Sequence, residues 1–131
     1  MIKIVFCLRR LPTLSPEEFH RYWLESHGPL VRSYAAALGI RRYTQGHAIA
    51  DPRLGAAAAV RGCEVPPYDG VAELSWDSVE DMVAASTSEI GREAGRALLE
   101  DERKFIDLPN SSLFFVRDHE IVAERADLPG S

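Results

Sequence analysis

The chain has only two cysteines, Cys7 and Cys63, with no CxxC spacing and no histidine beside either. A thiol nucleophile is therefore not expected, and neither is a structural disulfide, because cytosolic thiols normally stay reduced. Long apolar runs are also missing. Ile4 to Leu8 and Leu113 to Val116 fall far short of the roughly 18 residues that a membrane span needs. Positive charge is in deficit, with 15 Lys+Arg against 20 Asp+Glu and no basic cluster beyond pairs such as Arg9-Arg10, Arg41-Arg42 and Arg103-Lys104. Nucleic-acid binding through phosphate neutralisation is not expected from such a balance. The N-terminus runs straight into a strand pattern without a cleavage site, so a cytoplasmic protein is expected. No phosphate loop and no G-x-S-x-G elbow occurs. His20 and His27 lie about two helical turns apart, roughly 10.5 Å, too far to share a metal ion.

At 131 residues the chain suits one domain with one core. Residues 1–119 carry all the patterned segments, and residues 120–131 read as an extended or disordered tail. Ile2 to Arg9 alternates Ile2, Ile4, Phe6 and Leu8 against Lys3, Val5, Cys7 and Arg9, which predicts a first strand. Ser15-Pro16-Glu17-Glu18 combines an N-cap serine, proline at the first helical position and glutamate at the third, so a helix begins there. Its apolar face runs through Phe19, Tyr22, Trp23, Leu30, Tyr34 and Leu38 to a Gly39 cap. Pro29 lacks the donor for the Glu25 carbonyl, which predicts a kink or break near His27.

Ile40 to Ile49 predicts a second strand with Tyr43, Gln45, His47 and Ile49 on one face. A long connection then runs through residues 50–68, with a short helical turn in its alanines. Gly70 to Trp76 is the third strand. The region from Val79 to Phe105 is interrupted at Ser86-Thr87-Ser88 and Gly91, which predicts two helices in series. Leu113 to Val116 is the fourth strand. The order is β-α-β-β-α-β, an α+β ferredoxin-like domain with helices on one face of a four-stranded antiparallel sheet. Strands one and four are apolar on both sides, so a homodimer with sheets packed face to face is expected, a dimeric α/β barrel.

Four segments resemble the EthD family: Leu14 to Phe19 with Tyr22-Trp23 and His27-Gly28-Pro29-Leu30-Val31; Arg41 to His47; Tyr68 to Leu74 followed by Trp76; and Asp101-Glu102 with Phe105-Ile106-Asp107. The resemblance implies a dimeric barrel that works without metal or organic cofactor. Relatives of that family include aromatic-polyketide dehydratases and decarboxylases and proteins encoded beside ether-degrading oxygenases. The wider superfamily adds cofactor-free monooxygenases, lactone isomerases and haem proteins, so the fold does not fix the function.

Candidate site residues each carry two readings. His27 sits on the flank of the apolar helix face, where it suits either proton transfer or capping of the carbonyls freed by Pro29. His47 shares a polar strand face with Tyr43 and Gln45, which suits a pocket with His27 or a strand end near solvent. Asp69, before Gly70, fits catalysis or a plain turn. Asp101, on the helical line of Ala94, Leu98 and Phe105, fits either an inward carboxylate that orients a histidine or a solvated helix end. Glu73 is expected to pair with an arginine such as Arg42 or Arg117. Tyr22, Trp23, Tyr34 and Trp76 suit an aromatic wall for a flat substrate or ordinary core. Together these lead to a cofactor-independent lyase or isomerase, dehydratase-, decarboxylase- or cyclase-like. It would act on a small hydrophobic, aromatic or polyketide-type molecule, with His27 and His47 as acid and base. The alternatives are a non-catalytic binding or accessory protein for an oxygenase system, and a cofactor-free monooxygenase.

Overall fold

The computed structural model describes residues 1–125; the last six residues of the expected tail lie outside them. The strands are β1 (Ile2–Leu8), β2 (Arg42–His47), β3 (Gly70–Trp76) and β4 (Ser112–Val116). They form one antiparallel sheet in the order β2-β3-β1-β4, so the chain has the ferredoxin-like α+β fold. Between β1 and β2 run α1 (Pro16–Tyr22), a π-helical turn (Trp23–His27) and α2 (Gly28–Leu38). A 3-10 turn (Pro52–Leu54) and α3 (Ala56–Ala59) occupy the long connection before β3. After β3 come α4 (Val79–Thr87) and α5 (Glu89–Glu102), broken at Ser88, which caps α5 through its side chain. No described helix is long and apolar enough to cross a membrane.

The helices cover the face that carries Phe6, Leu8, Ala72 and Leu74. Phe19, Trp23, Phe105 and Ile106 fill the space between. Two of these, Phe19 and Phe105, are wholly buried, and each such side chain removed from water contributes roughly 1.5–3 kcal/mol. A second cluster of Val31, Leu38, Ala94 and Leu98 glues α2 to α5. Among the described residues no helix covers the opposite face of the sheet. Val5 stands across from Phe114, and Cys7 across from Val71. Phe114 and its neighbours Leu113 and Phe115 are each about half exposed.

Several expectations need correction. β2 stops short of both Ile40 and Ile49: the Ile40 amide still caps α2 by donating to the Ala35 carbonyl, behind Gly39 in the left-handed region. The interruption expected near His27 is a widened π-helical turn and not a full break. The chain instead widens by one residue, and the Gly28 amide donates to the Trp23 carbonyl five residues back. Glu73 pairs with Lys3 at 3.1 Å and not with an arginine, since Lys3 lies beside it on the same outer face. The connection is anchored to β1 by Arg9, whose guanidinium donates to the Pro66 and Pro67 carbonyls and lies over the Tyr68 ring.

Candidate active site

The wide turn at Trp23–His27 sets the geometry of the site. Ser15 and Glu18 close a reciprocal capping box that starts α1. From there Phe19 and Trp23 pack on the sheet, and the extra residue in the next turn carries His27 inward until it is 5% exposed. A buried imidazole needs a partner, and α5 supplies it. His27 Nδ1 lies 2.8 Å from Asp101 Oδ2, while the Tyr22 hydroxyl donates to Asp101 Oδ1 at 2.6 Å. Lys104 stands 3.6 Å from the same carboxylate.

Burial pushes the Asp101 carboxyl upward, but the hydrogen bonds from Tyr22 and His27 outweigh it and leave the group below the usual carboxylate range. Burial also dominates at His27, whose pKa falls below 6.5 despite Asp101. Tyr22 is pushed up to about 12 by burial and by the adjacent Asp101. At neutral pH the cluster is therefore a carboxylate, a neutral imidazole and a phenol. An ionised carboxylate only accepts, so Nδ1 carries the imidazole proton and Nε2 keeps its lone pair. Nε2 has no partner among the described residues.

Strand β2 brings a second set of polar groups to the same layer. The Gln45 amide nitrogen donates both its protons, to the Trp23 carbonyl at 2.9 Å and the Tyr43 hydroxyl at 2.8 Å. Its oxygen lies 2.7 Å from His47 Nε2. Since Tyr43 accepts from Gln45, its own proton is free for another acceptor. Burial raises the Tyr43 pKa, so the hydroxyl stays protonated. Gly28 makes the Gln45 approach possible: a Cβ there would meet the Gln45 amide nitrogen at 3.1 Å. His47 stacks on Trp23 at 4.5 Å and on His20 at 4.7 Å, and burial, then the neighbouring His20, lowers its pKa.

A small inner cavity of about 40 Å³ lies between sheet and helices. Its polar lining consists of His27, Tyr43 and Glu102; the rest is apolar, including Phe6, Leu74 and Leu98. An outer cleft of about 390 Å³ opens beside it between α2 and β2, lined in part by Tyr43, Gln45, Leu24 and Arg32. Val31 and Tyr43 line both. Glu102 was not among the sequence candidates. Burial, then the charge of Asp101, raises its carboxyl to about 7. The signal for it was present: Leu98, Glu102 and Phe105 follow the i, i+4, i+7 rhythm of the buried helix face.

The other sequence candidates are distributed as follows. His27 and Tyr43 share the inner cavity, with Asp101 behind His27; Trp23 contributes a wall. Gln45 joins Tyr43 at the outer cleft. His47 lines neither space and reaches Tyr43 only through Gln45. Asp69 lies apart, accepting from the Arg10 amide at 2.8 Å and 3.4 Å from its Nε, which clamps the loop after β1. Tyr34 packs in the α2–α5 cluster. Trp76 is core, its indole donating to the Leu38 carbonyl. Among the described residues no three His, Cys, Asp or Glu side chains are arranged to hold a metal ion.

The family model of the EthD domain matches residues 11–109. No curated protein matches the chain. Among solved structures, an EthD family protein from Bacillus halodurans superposes with TM-score 0.60 at 18% identity, covering 91% of this chain and 99% of its own. An EthD-like protein from Ralstonia eutropha gives TM-score 0.59 at 21% identity, covering 97% of this chain and 96% of its own. A dimeric protein of unknown function and ferredoxin-like fold from Bacteroides fragilis gives 0.55 at 12% identity, covering 89% and 95%. Likeness at these identities speaks for the fold.

Proposed function

The chain belongs to the EthD domain family, and on that premise we propose that it is a cofactor-independent lyase-type enzyme acting on a small aromatic or polyketide-like carbonyl compound. The observation that carries this reading is the Asp101–His27 pair at 2.8 Å, which leaves Nε2 without a partner among the described residues, on a side chain that lines the inner cavity. Asp101 holds the ring and its tautomer. His27 Nε2 then removes a proton from carbon next to the substrate carbonyl. The negative charge moves to the carbonyl oxygen, where the free Tyr43 proton stabilises it. Gln45 fixes the Tyr43 hydroxyl from behind, and His47 fixes the Gln45 amide. His47 thus serves as a positioning residue in this reading and not as the second acid/base group. The outer cleft, walled by Leu24 and Val31, accommodates the body of the substrate.

We further propose that the working unit is a homodimer. Support comes from the uncovered apolar strip of Val5, Val71 and Phe114 on the outer face and from the dimeric relative from Bacteroides fragilis. The test of function is hydrogen–deuterium exchange next to the carbonyl of 1-tetralone, followed by NMR in heavy water. Wild type should accelerate exchange and His27→Ala should lose that acceleration. Binding of the ketone without exchange in either protein would replace the catalytic reading with a sequestering one.

A further inference from the structure

We propose that the outer cleft is an anion subsite and that the substrate of this site is an organic acid, its carboxylate held by Arg32 and Arg42 apart from the reacting carbonyl. The inference rests on the reading of the cleft as the place of the substrate body and adds a chemical class to it. The chain as a whole is acidic, with 20 Asp+Glu against 15 Lys+Arg. The cleft reverses that sign: Arg32, Arg41 and Arg42 line it, and no aspartate or glutamate does. Other grooves mix their charges. Lys3 and Arg42 share a small outer-face pocket with Glu73 and Asp118, and Arg21 and Lys104 share a groove beside Tyr22 with Glu18 and Glu25.

The three guanidiniums differ in what they already hold. Arg41 stands 3.5 Å from Asp77, with both side chains more than half exposed. Arg32 and Arg42 are exposed and have no hydrogen bond or ion pair among the described residues. Local structure leaves them room. On α2, Gly28 and Ala35 line the cleft about one turn before and one turn after Arg32, so small residues flank the one long side chain of that stripe. Arg42 opens β2, an edge strand of the sheet, and reaches the cleft from the other side. Leu24, Val31 and Ile40 supply apolar wall. At about 390 Å³ the cleft falls within the roughly 300–1,000 Å³ of small-molecule sites.

The donors decide which anion suits it. Phosphate sites are commonly built on free backbone amides at a helix start or in a nest. The first two positions of α2 offer none, because the Gly28 amide donates to the Trp23 carbonyl and Pro29 has no N–H. Guanidinium forks remain, and their planar paired donors match a carboxylate. His27 lines the inner cavity and not the cleft. A carboxylate held by the arginines is therefore an anchor that survives the reaction and not the group acted on. Tyr43, which borders both spaces, is then the donor left for the carbonyl oxygen, since both Gln45 amide protons are engaged.

The test measures binding to the full-length protein by NMR titration, with 4-carboxy-1-tetralone and the matching carboxamide as probes; their side groups share a planar shape and differ in charge. Exposed ion pairs are individually weak, so at low ionic strength wild type should bind the acid about tenfold more tightly than the amide. High salt should remove that preference. The overall field of a chain with net charge −5 favours the amide, so a preference for the acid has to come from the cleft. Arg32→Gln combined with Arg42→Gln should bring the two affinities to within about twofold. Equal affinities in wild type, a tighter amide, or a preference that persists in the double variant or at high salt overturn the proposal. Deuterium exchange next to the carbonyl, read in the same samples, keeps the two readings apart. Preference for the acid without exchange of either probe sustains the anion subsite and removes His27 as base. Exchange of both probes at equal affinity sustains His27 and overturns the subsite.

Discussion

Keeping Glu102 neutral should have a cost that depends on pH in a way no other group in the cavity reproduces. Its carboxyl is raised from 4.5 to about 7, first by burial and then by Asp101. The folded chain therefore binds this proton more tightly than the unfolded chain does. The contribution to stability is fully present below about pH 4.5, shrinks as pH rises, and is lost above about pH 7. At about 1.4 kcal/mol per tenfold in proton affinity, the whole span is about 3 kcal/mol. Glu102→Gln has no such titration, while the other groups titrate in both proteins and largely cancel in the difference. Urea unfolding of wild type and Glu102→Gln at about pH 4.5 and pH 8, at one fixed protein concentration, isolates the effect. The variant should gain on wild type by about 3 kcal/mol between the two conditions. A stability difference independent of pH would refute the argument that Glu102 sits neutral on an apolar wall.

Asp101→Asn should lower kcat about a hundredfold or more with little change in KM, because an amide neither selects the Nδ1 tautomer nor supports the imidazolium; steady-state kinetics of deuterium exchange into 1-tetralone reads it. The acid limb of the pH–rate profile should fall below 6.5, since burial lowers His27 and on that limb activity is lost as Nε2 becomes protonated. Gly70→Ala should destabilise by about 1–3 kcal/mol in urea unfolding, because a Cβ there would stand 2.4 Å from Trp23 Cζ3. Phe114→Glu, on the uncovered face, should yield monomers in sedimentation equilibrium; an unchanged dimer mass would mean the face is not the interface.

The fold was legible because its signals are local and redundant. Alternation marks β1 and β3, the capping box marks α1, and Ser88 marks the junction of α4 and α5. The site was only partly legible. His27 and Asp101 are 74 residues apart, and nothing in either segment alone says that they meet; what pointed to each was a polar residue on an apolar helical face. The same rhythm singles out Glu102, but adjacent Asp101 and Glu102 near a helix end read equally well as solvated charge. Asp69 shows the opposite failure: a carboxylate beside Gly70 carries the same local pattern whether it turns the chain, clamps Arg10 or performs chemistry. Only the position of the Arg10 amide separates these.

Pro29 illustrates how a local rule can be sound and its expected consequence still differ. A proline removes one helical donor, and a kink is one way to accommodate the orphaned carbonyl. Here the chain inserts one residue into the turn. The Trp23 carbonyl then accepts from the Gly28 amide along the helix and from Gln45 across from the sheet. The second bond is the useful one. It anchors one proton of the Gln45 amide, which directs the other to Tyr43 and leaves the Tyr43 proton free for another acceptor. The same widened turn carries His27 inward to Asp101. A regular helix through Trp23–His27 would change the register of both, so the proposed base and the proposed oxygen-binding donor depend on one backbone irregularity. On the proposed function, this widened turn in the middle of the core orients both halves of the proton-transfer site.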